Sequence, residues 1–227
     1  MKRIQHLLGI LLICTMLFSL LTVPTLAEDP DTSPETVYVS AEGSDDGDGS
    51  KSNPYATIDR AVELINNDPS NLHYIIYVMS DLEATACSRI TDHHVTIASL
   101  PSQGNEPQQI YAITRSDYFE QTQDNARSTY NPAMIEVTTP RGSGASLTLE
   151  NIILDDAGIA NGEHFLQAST DGSGAVTIDT DTYSNDSLVQ DAIVAAYGTE
   201  KATAKIILGE GSVLKDFGGM SAVRVTG

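Results

Sequence analysis

Nine short apolar segments, separated by gaps that hold neither a hairpin turn nor a helix, constrain this chain more than any other feature. They are Tyr74 to Val78, Val95 to Ala98, Ile110 to Thr114, Met134 to Val137, Ser146 to Leu149, Ala175 to Ile178, Ala192 to Ala196, Ala204 to Leu208 and Ala222 to Val225. Their lengths suit strands rather than helices. The gaps are mostly a dozen to twenty-odd residues long and carry no 3.6-residue pattern, which disfavours strand–helix–strand units. Asn161-Gly162 is the one Asn-Gly dipeptide, and it lacks a good strand on either side. Strands without hairpins and without crossover helices point to an all-β solenoid, in which each coil stacks on the one before.

A weak internal echo agrees. Met134-Ile-Glu-Val precedes a Gly-rich turn and then Leu147-Thr-Leu-Glu-Asn-Ile-Ile-Leu154. Ala192-Ile-Val-Ala likewise precedes Lys205-Ile-Ile-Leu-Gly-Glu-Gly-Ser-Val-Leu214. The separation corresponds to two or three coils of roughly 20 to 30 residues each.

One helix is expected, near the start of this region. Thr36 to Ser40 alternates as a strand, and Ala41 to Asn53 is a loop of Gly, Ser and Asp. Thr57 is then placed as an N-cap, followed by Ile58, Ala61, Val62 and Ile65 at i, i+3, i+4 and i+7. Asn66-Asn67-Asp68-Pro69 ends it.

Residues 1–27 read as a cleavable export signal. Lys2 and Arg3 open it, Leu7 to Leu21 carries no charge, and Thr25-Leu26-Ala27 offers small residues for cleavage. The apolar run is about 15 residues, short of the ~20 that a membrane-crossing helix needs, so no membrane insertion is expected after cleavage. A linker, residues 28–35, leads into the domain at 36–227, of which 36–70 is the N-terminal cap and 71–227 the coils. Beyond residue 27 lie all 31 acidic residues and ten basic ones, a net charge of −21. That balance repels nucleic-acid phosphates and anionic membranes, so no nucleic-acid partner is expected. Cys87 is the only cysteine after residue 27, which excludes an internal disulfide from the mature chain. With no tryptophan, a sugar cleft built on stacked indoles is excluded, though nine tyrosines remain.

The stretch Val37-Tyr-Val-Ser-Ala-Glu-Gly-Ser-Asp-Asp-Gly-Asp-Gly-Ser-Lys-Ser-Asn-Pro-Tyr-Ala-Thr-Ile-Asp-Arg-Ala-Val62 resembles the opening of right-handed parallel β-helix proteins of the pectin lyase-like superfamily. The resemblance implies that a first strand, a Gly/Asp loop and a Pro-aromatic-x-Thr-Ile-x-x-Ala helix cap one end of the solenoid. Leu149-Glu-Asn-Ile-Ile-Leu154 and Ser221-Ala-Val-Arg-Val225 resemble its coil segments, in a style common in bacterial surface, adhesin-like members. No equivalent cap is legible before Gly227, so the sequence is expected to be the N-terminal part of a longer protein.

The site candidates follow. Asp45, Asp46 and Asp48 crowd the loop before the helix and offer hard oxygen ligands to Ca2+, but Lys51 stands where an EF-hand loop needs glycine. His93 and His94 fall on opposite faces of any strand, and a turn or surface role is expected of them. Asp155 and Asp156, with His164 a short loop away, are the catalytic candidates for glycoside hydrolysis or polysaccharide lysis. The Gly-His-Gly and Arg-x-Lys motifs of polygalacturonases are absent, and Arg115 or Arg141 would have to serve as a lyase base. Tyr111, Tyr118 and Tyr130 are candidates for a glycan-binding surface. Asn151 is read as a turn asparagine satisfying neighbouring backbone, and Asn185-Asp-Ser187 as a glycosylation sequon. The expected function is a non-catalytic surface module for adhesion or binding of polysaccharide or host glycan; an extracellular lyase or hydrolase is the alternative.

Overall fold

Alternation of apolar and polar residues fixes where the backbone runs extended, and the computed structural model of the chain shows how those runs stack. It describes residues 33–70, 72–120, 133–156, 165–167, 176–179, 193–215 and 223–226. Residues 1–27, Tyr130, Asn161-Gly162, His164 and Asn185-Asp-Ser187 lie outside the described residues.

The strands are β1 (Glu35–Val39), β2 (His73–Val78), β3 (Leu82–Ala86), β4 (Ser88–Thr91), β5 (His94–Ser99), β6 (Tyr111–Glu120), β7 (Ile135–Thr138), β8 (Ala145–Glu150), β9 (Ile152–Asp155), β10 (Phe165–Gln167), β11 (Val176–Asp179), β12 (Val194–Tyr197), β13 (Ala204–Leu208), β14 (Val213–Lys215) and β15 (Val223–Thr226). Among the described residues a single helix, α1 (Ile58–Asn67), follows β1. The strands form a six-stranded sheet (β1-β2-β5-β8-β13-β11), a five-stranded sheet (β10-β14-β9-β6-β3) and a four-stranded sheet (β15-β12-β7-β4). Leaving β10 and β11 aside, from β2 onward the chain visits the six-, five- and four-stranded sheets in that order, again and again. Every pairing among these visits is parallel, and only β10 and β11 join antiparallel.

Parallel register stacks like positions into rungs. In the six-stranded sheet the inward rungs are Val37–Ile76–Ile97–Leu149–Leu208 and Tyr74–Val95–Leu147–Ile206, all buried. The other two sheets contribute Leu82–Ile113–Leu154–Leu214 and Ile90–Val137–Ala196 to the same core. Each fully buried aliphatic side chain stabilises by about 1.5–3 kcal/mol, which makes these rungs the main source of stability.

The N-terminal edges are covered by specific bonds. Residues 49–55 fold back along β1: the Tyr38 amide donates to the Gly49 carbonyl (2.8 Å), Ser40 to Tyr55 (2.9 Å) and Tyr55 to Tyr38 (3.0 Å). Helix α1 lies against the edge of β4. There Asn66 donates from Nδ2 to the Arg89 carbonyl (2.7 Å) and accepts at Oδ1 from the Thr91 amide (2.9 Å), while the Ser88 hydroxyl donates to Asp59. An open edge would template pairing with other chains, and these bonds occupy the edges of β1 and β4. At the other end, β11 pairs antiparallel with β13 and β10 with β14, so the far edges of two sheets carry antiparallel strands.

The helix begins where the sequence places it. Thr57 is extended (φ −129°), its Oγ1 accepts from the Arg60 amide (3.2 Å), and Ile58, Ala61, Val62 and Ile65 are buried. The loop aspartate Asp45 completes the cap: its Oδ1 accepts from the amides of Ala56 (3.0 Å) and Thr57 (3.1 Å) and from the Thr57 hydroxyl (3.1 Å). Thr57→Ala is expected to lower stability by about 1 kcal/mol. Because Asp45 and Thr57 form one network, Asp45→Ala on top of it should add less than its own single loss. Urea denaturation of the two singles and the double tests this, and strictly additive losses would mean that the two caps act independently.

Candidate functional site

The core leaves every second residue of the six-stranded sheet facing out, and its parallel register aligns these into rows as well. One row runs His73–His94–Ser146–Lys205, with Asp179 at the next register position on β11. The adjacent row is Thr36–Ile75–Thr96–Thr148–Ile207, and beyond it Tyr38 pairs with Tyr77. The imidazoles of His73 and His94 stack with centroids 4.9 Å apart and planes 22° apart. Nδ1 of His94 lies 2.9 Å from the Ser146 hydroxyl. The Tyr38 and Tyr77 rings meet at 5.8 Å, giving the same face an aromatic step.

Two shallow depressions, of 420 and 280 Å³, share His94 and Ser146 and so form one open groove along this face. Lys201, Lys205, Gly142 and Gly144 line its wide end; His73, Thr96 and Thr148 line the other. An open groove with His, Ser, Thr and Lys side chains along it, on a face that also carries the Tyr38–Tyr77 pair, suits an extended polar ligand better than a small apolar one.

Burial of His94, with His73, His93 and Lys205 nearby, holds its imidazole below the ordinary value of about 6.5. The unfolded chain therefore takes up the proton first. Stability should be level above about pH 6.5 and fall as the pH drops through that value towards the folded pKa of His94, then level again. Thermal midpoints between pH 8 and pH 5 measure it. The fall should be shallower in His94→Gln, and an unchanged profile in that variant would remove His94 as its source.

The sequence candidates fall elsewhere. Asp155 and Asp156 are split by strand alternation. Asp155 shares an outward row with Lys215 and pairs with it at 2.6 Å, whereas Asp156 is buried against the guanidinium of Arg115, which is itself buried. Both carboxylates are thus bound to cations instead of facing each other across a cleft. Among the loop aspartates, Asp45 caps α1 and Asp48 accepts from the Ser50 amide (2.9 Å). The hydrogen bonds from Ser50 hold the Asp48 carboxyl below its usual range. Among the described residues no group of three or more His, Cys, Asp or Glu is placed to hold a metal ion.

His93 does sit at a turn, but its side chain is buried rather than on the surface. Its ring nitrogens lie 2.5 Å from the Thr91 carbonyl and 3.0 Å from that of Asp68, tying α1 to β5. Tyr111 opens β6 half-buried against the core, Tyr118 lies within β6, and Tyr130 is outside the described residues. Asn151 adopts φ +47° at the corner between β8 and β9, directly over Gly211 (φ +68°) in the next layer. A Cβ on Gly211 would lie 2.3 Å from Asn151 Oδ1, so this stacked corner requires glycine.

The groove residues carried one legible signal, the alternation that puts His73, Tyr77, His94 and Ser146 on the same side of their strands. Their adjacency depends on register, which alternation does not encode. No protein-family model, no curated protein and no solved structure matches this chain.

Proposed function

We propose that the chain is an exported right-handed parallel β-helix and that it binds carbohydrate, without catalysis, on the outward face of its six-stranded sheet. Such a module would serve adhesion or ligand capture as part of a larger surface protein. The single observation that carries this reading is the groove, whose rows run unbroken across β2, β5, β8 and β13. The cyclic visiting order of the three sheets supports a solenoid, and parallel crossovers are right-handed in about 98% of cases. Residues 1–27 would direct export.

The pairing of Asp155 with Lys215 and of Asp156 with Arg115 weighs against an acid–base role for either carboxylate. A glycan array probed with the secreted protein is expected to give signals that fall in a Tyr38→Ala, Tyr77→Ala double variant. Blank arrays would remove the binding reading. Release of unsaturated or reducing sugar ends from a polysaccharide panel, lost in Asp155→Ala or Asp156→Ala, would replace it with the catalytic alternative.

A further inference from the structure

We infer that the wide end of this groove is a proton-linked oxyanion site, where Lys201 and Lys205 hold a sulfate or carboxylate group of a polymeric ligand and His94 adds positive charge as the pH falls. The inference rests on the binding-face reading and supplies its ligand chemistry and its regulation.

The charge pattern comes first. The chain carries 31 acidic against 12 basic residues, so two lysines lining one groove run against its overall sign. Four other cations are engaged by carboxylates: Arg60 with Glu63, Arg89 with Glu136, Arg115 with Asp156 and Lys215 with Asp155. Lys201 and Lys205 are exposed and, among the described residues, pair with no carboxylate. Lys201 is offered by the tight turn closed between Thr199 and Ala202 (2.9 Å), and Lys205 by β13 one rung from Ser146. Gly142 and Gly144 keep the floor open between them and His94. Ammonium groups, a hydroxyl and an imidazole converging on an open floor are the donors an oxyanion needs.

The proton link follows from what surrounds His94. His73 stacks on it from β2, Ser146 meets it from β8, Lys205 lies along the row on β13 and His93 precedes it in the chain. The acidic groups nearby sit at the ends: Asp179 holds the register position beside Lys205, Glu35 pairs in register with Tyr74, and Asp68 accepts from the Tyr74 hydroxyl. The groups flanking His94 itself are therefore neutral or positive, and its protonation is opposed until an anion arrives. An anion at Lys201 and Lys205 relieves that opposition and raises the imidazole pKa, so affinity must rise as pH falls through the shifted range. Each unit of upward shift on binding corresponds to about a tenfold gain in affinity.

Isothermal titration of the secreted protein with dextran sulfate, polygalacturonate and unmodified dextran, at pH 7.5 and 5.5 and one ionic strength, tests this. At least one anionic polymer should bind about tenfold tighter at pH 5.5. The Lys201→Ala, Lys205→Ala double variant should lose that binding at both pH values. His94→Gln, which keeps a polar group towards Ser146, should lose most of the acid gain, so that its affinities at pH 7.5 and pH 5.5 converge. It thereby separates this site from the general loss of negative charge in acid. Preference between the two anionic polymers then distinguishes sulfate from carboxylate as the group held. An acid gain that survives His94→Gln, or anion binding indifferent to the lysine substitutions, overturns the inference. Equal binding of dextran at both pH values also overturns it while leaving the binding-face reading in place. Silence of all three polymers overturns this inference alone, since the wider reading is judged on the full glycan array.

Discussion

Arg115→Met should destabilise the protein by about 3–5 kcal/mol, the effect of stranding one member of a buried ion pair. Arg115 stands at an inward position of β6 and is only 3% exposed, and its partner Asp156, just past β9, is 7% exposed. The guanidinium binds the carboxylate through Nε, and the backbone amide of Asp156 is committed to the Lys215 carbonyl (3.0 Å). The backbone of Asp156 is thus fixed at the junction between β9 and β14, with its side chain buried beside Arg115. With the cation gone, the buried carboxylate loses its ion pair, and burial penalises its charged form. The sign is then fixed: the deficit is present while Asp156 is charged and shrinks as acid neutralises it. A second substitution, Asp156→Leu on the Arg115→Met background, removes the stranded charge and should recover most of the loss. Urea unfolding at pH 7.5 and pH 4.5 checks all three statements. A single-variant loss under about 1 kcal/mol would show that water reaches the pair.

The local elements of this fold were legible, and the reason is physical. Thr57 and the stripe Ile58, Ala61, Val62, Ile65 encode a helix within ten residues, and all four apolar positions are buried. The apolar runs at Tyr74, Val95, Ser146 and Ala204 each contain enough alternation to mark a strand. Leu82–Ala86 and Ser88–Thr91 escaped because their outward residues, Glu83, Thr85 and Arg89, dilute runs of only four or five residues. The antiparallel attachment of β10 and β11 escaped for a different reason: it is a statement about partners, and a strand's own residues do not name its neighbour.

The same division runs through the site. Asp155 and Asp156 looked paired because they are adjacent in sequence, yet adjacency within an extended backbone sends side chains to opposite sides. One found Lys215 and the other Arg115. His73 and His94 are 21 residues apart and did not look paired, but one turn through the three sheets brings their rings to 4.9 Å. Tyr38 and Tyr77 meet by the same stacking of β1 on β2, 39 residues apart in the sequence.

Leu149→Ala should cost about 3–5 kcal/mol, comparable with loss of the buried pair but by a different route. Leu149 is fully buried in an inward rung, with Ile97 above it on β5 and Leu208 below it on β13. Because rungs repeat along the stack, truncation at one level removes contacts with the levels on both sides as well as with the facing sheets. The neighbours cannot close the gap cheaply, since each is fixed by the parallel hydrogen bonds of its own strand. Val37, at the end of the same rung, has a strand neighbour on one side only, so Val37→Ala should lose distinctly less. Thr148 provides the contrast within one strand: it faces the groove, and Thr148→Ala should change stability by no more than about 0.5 kcal/mol. The ordering Leu149, then Val37, then Thr148 is what inward stacking requires, and urea midpoints of the three variants measure it. Equal losses at positions 148 and 149 would mean that β8 does not divide inside from outside, and the groove built on its outward residues would fall with it.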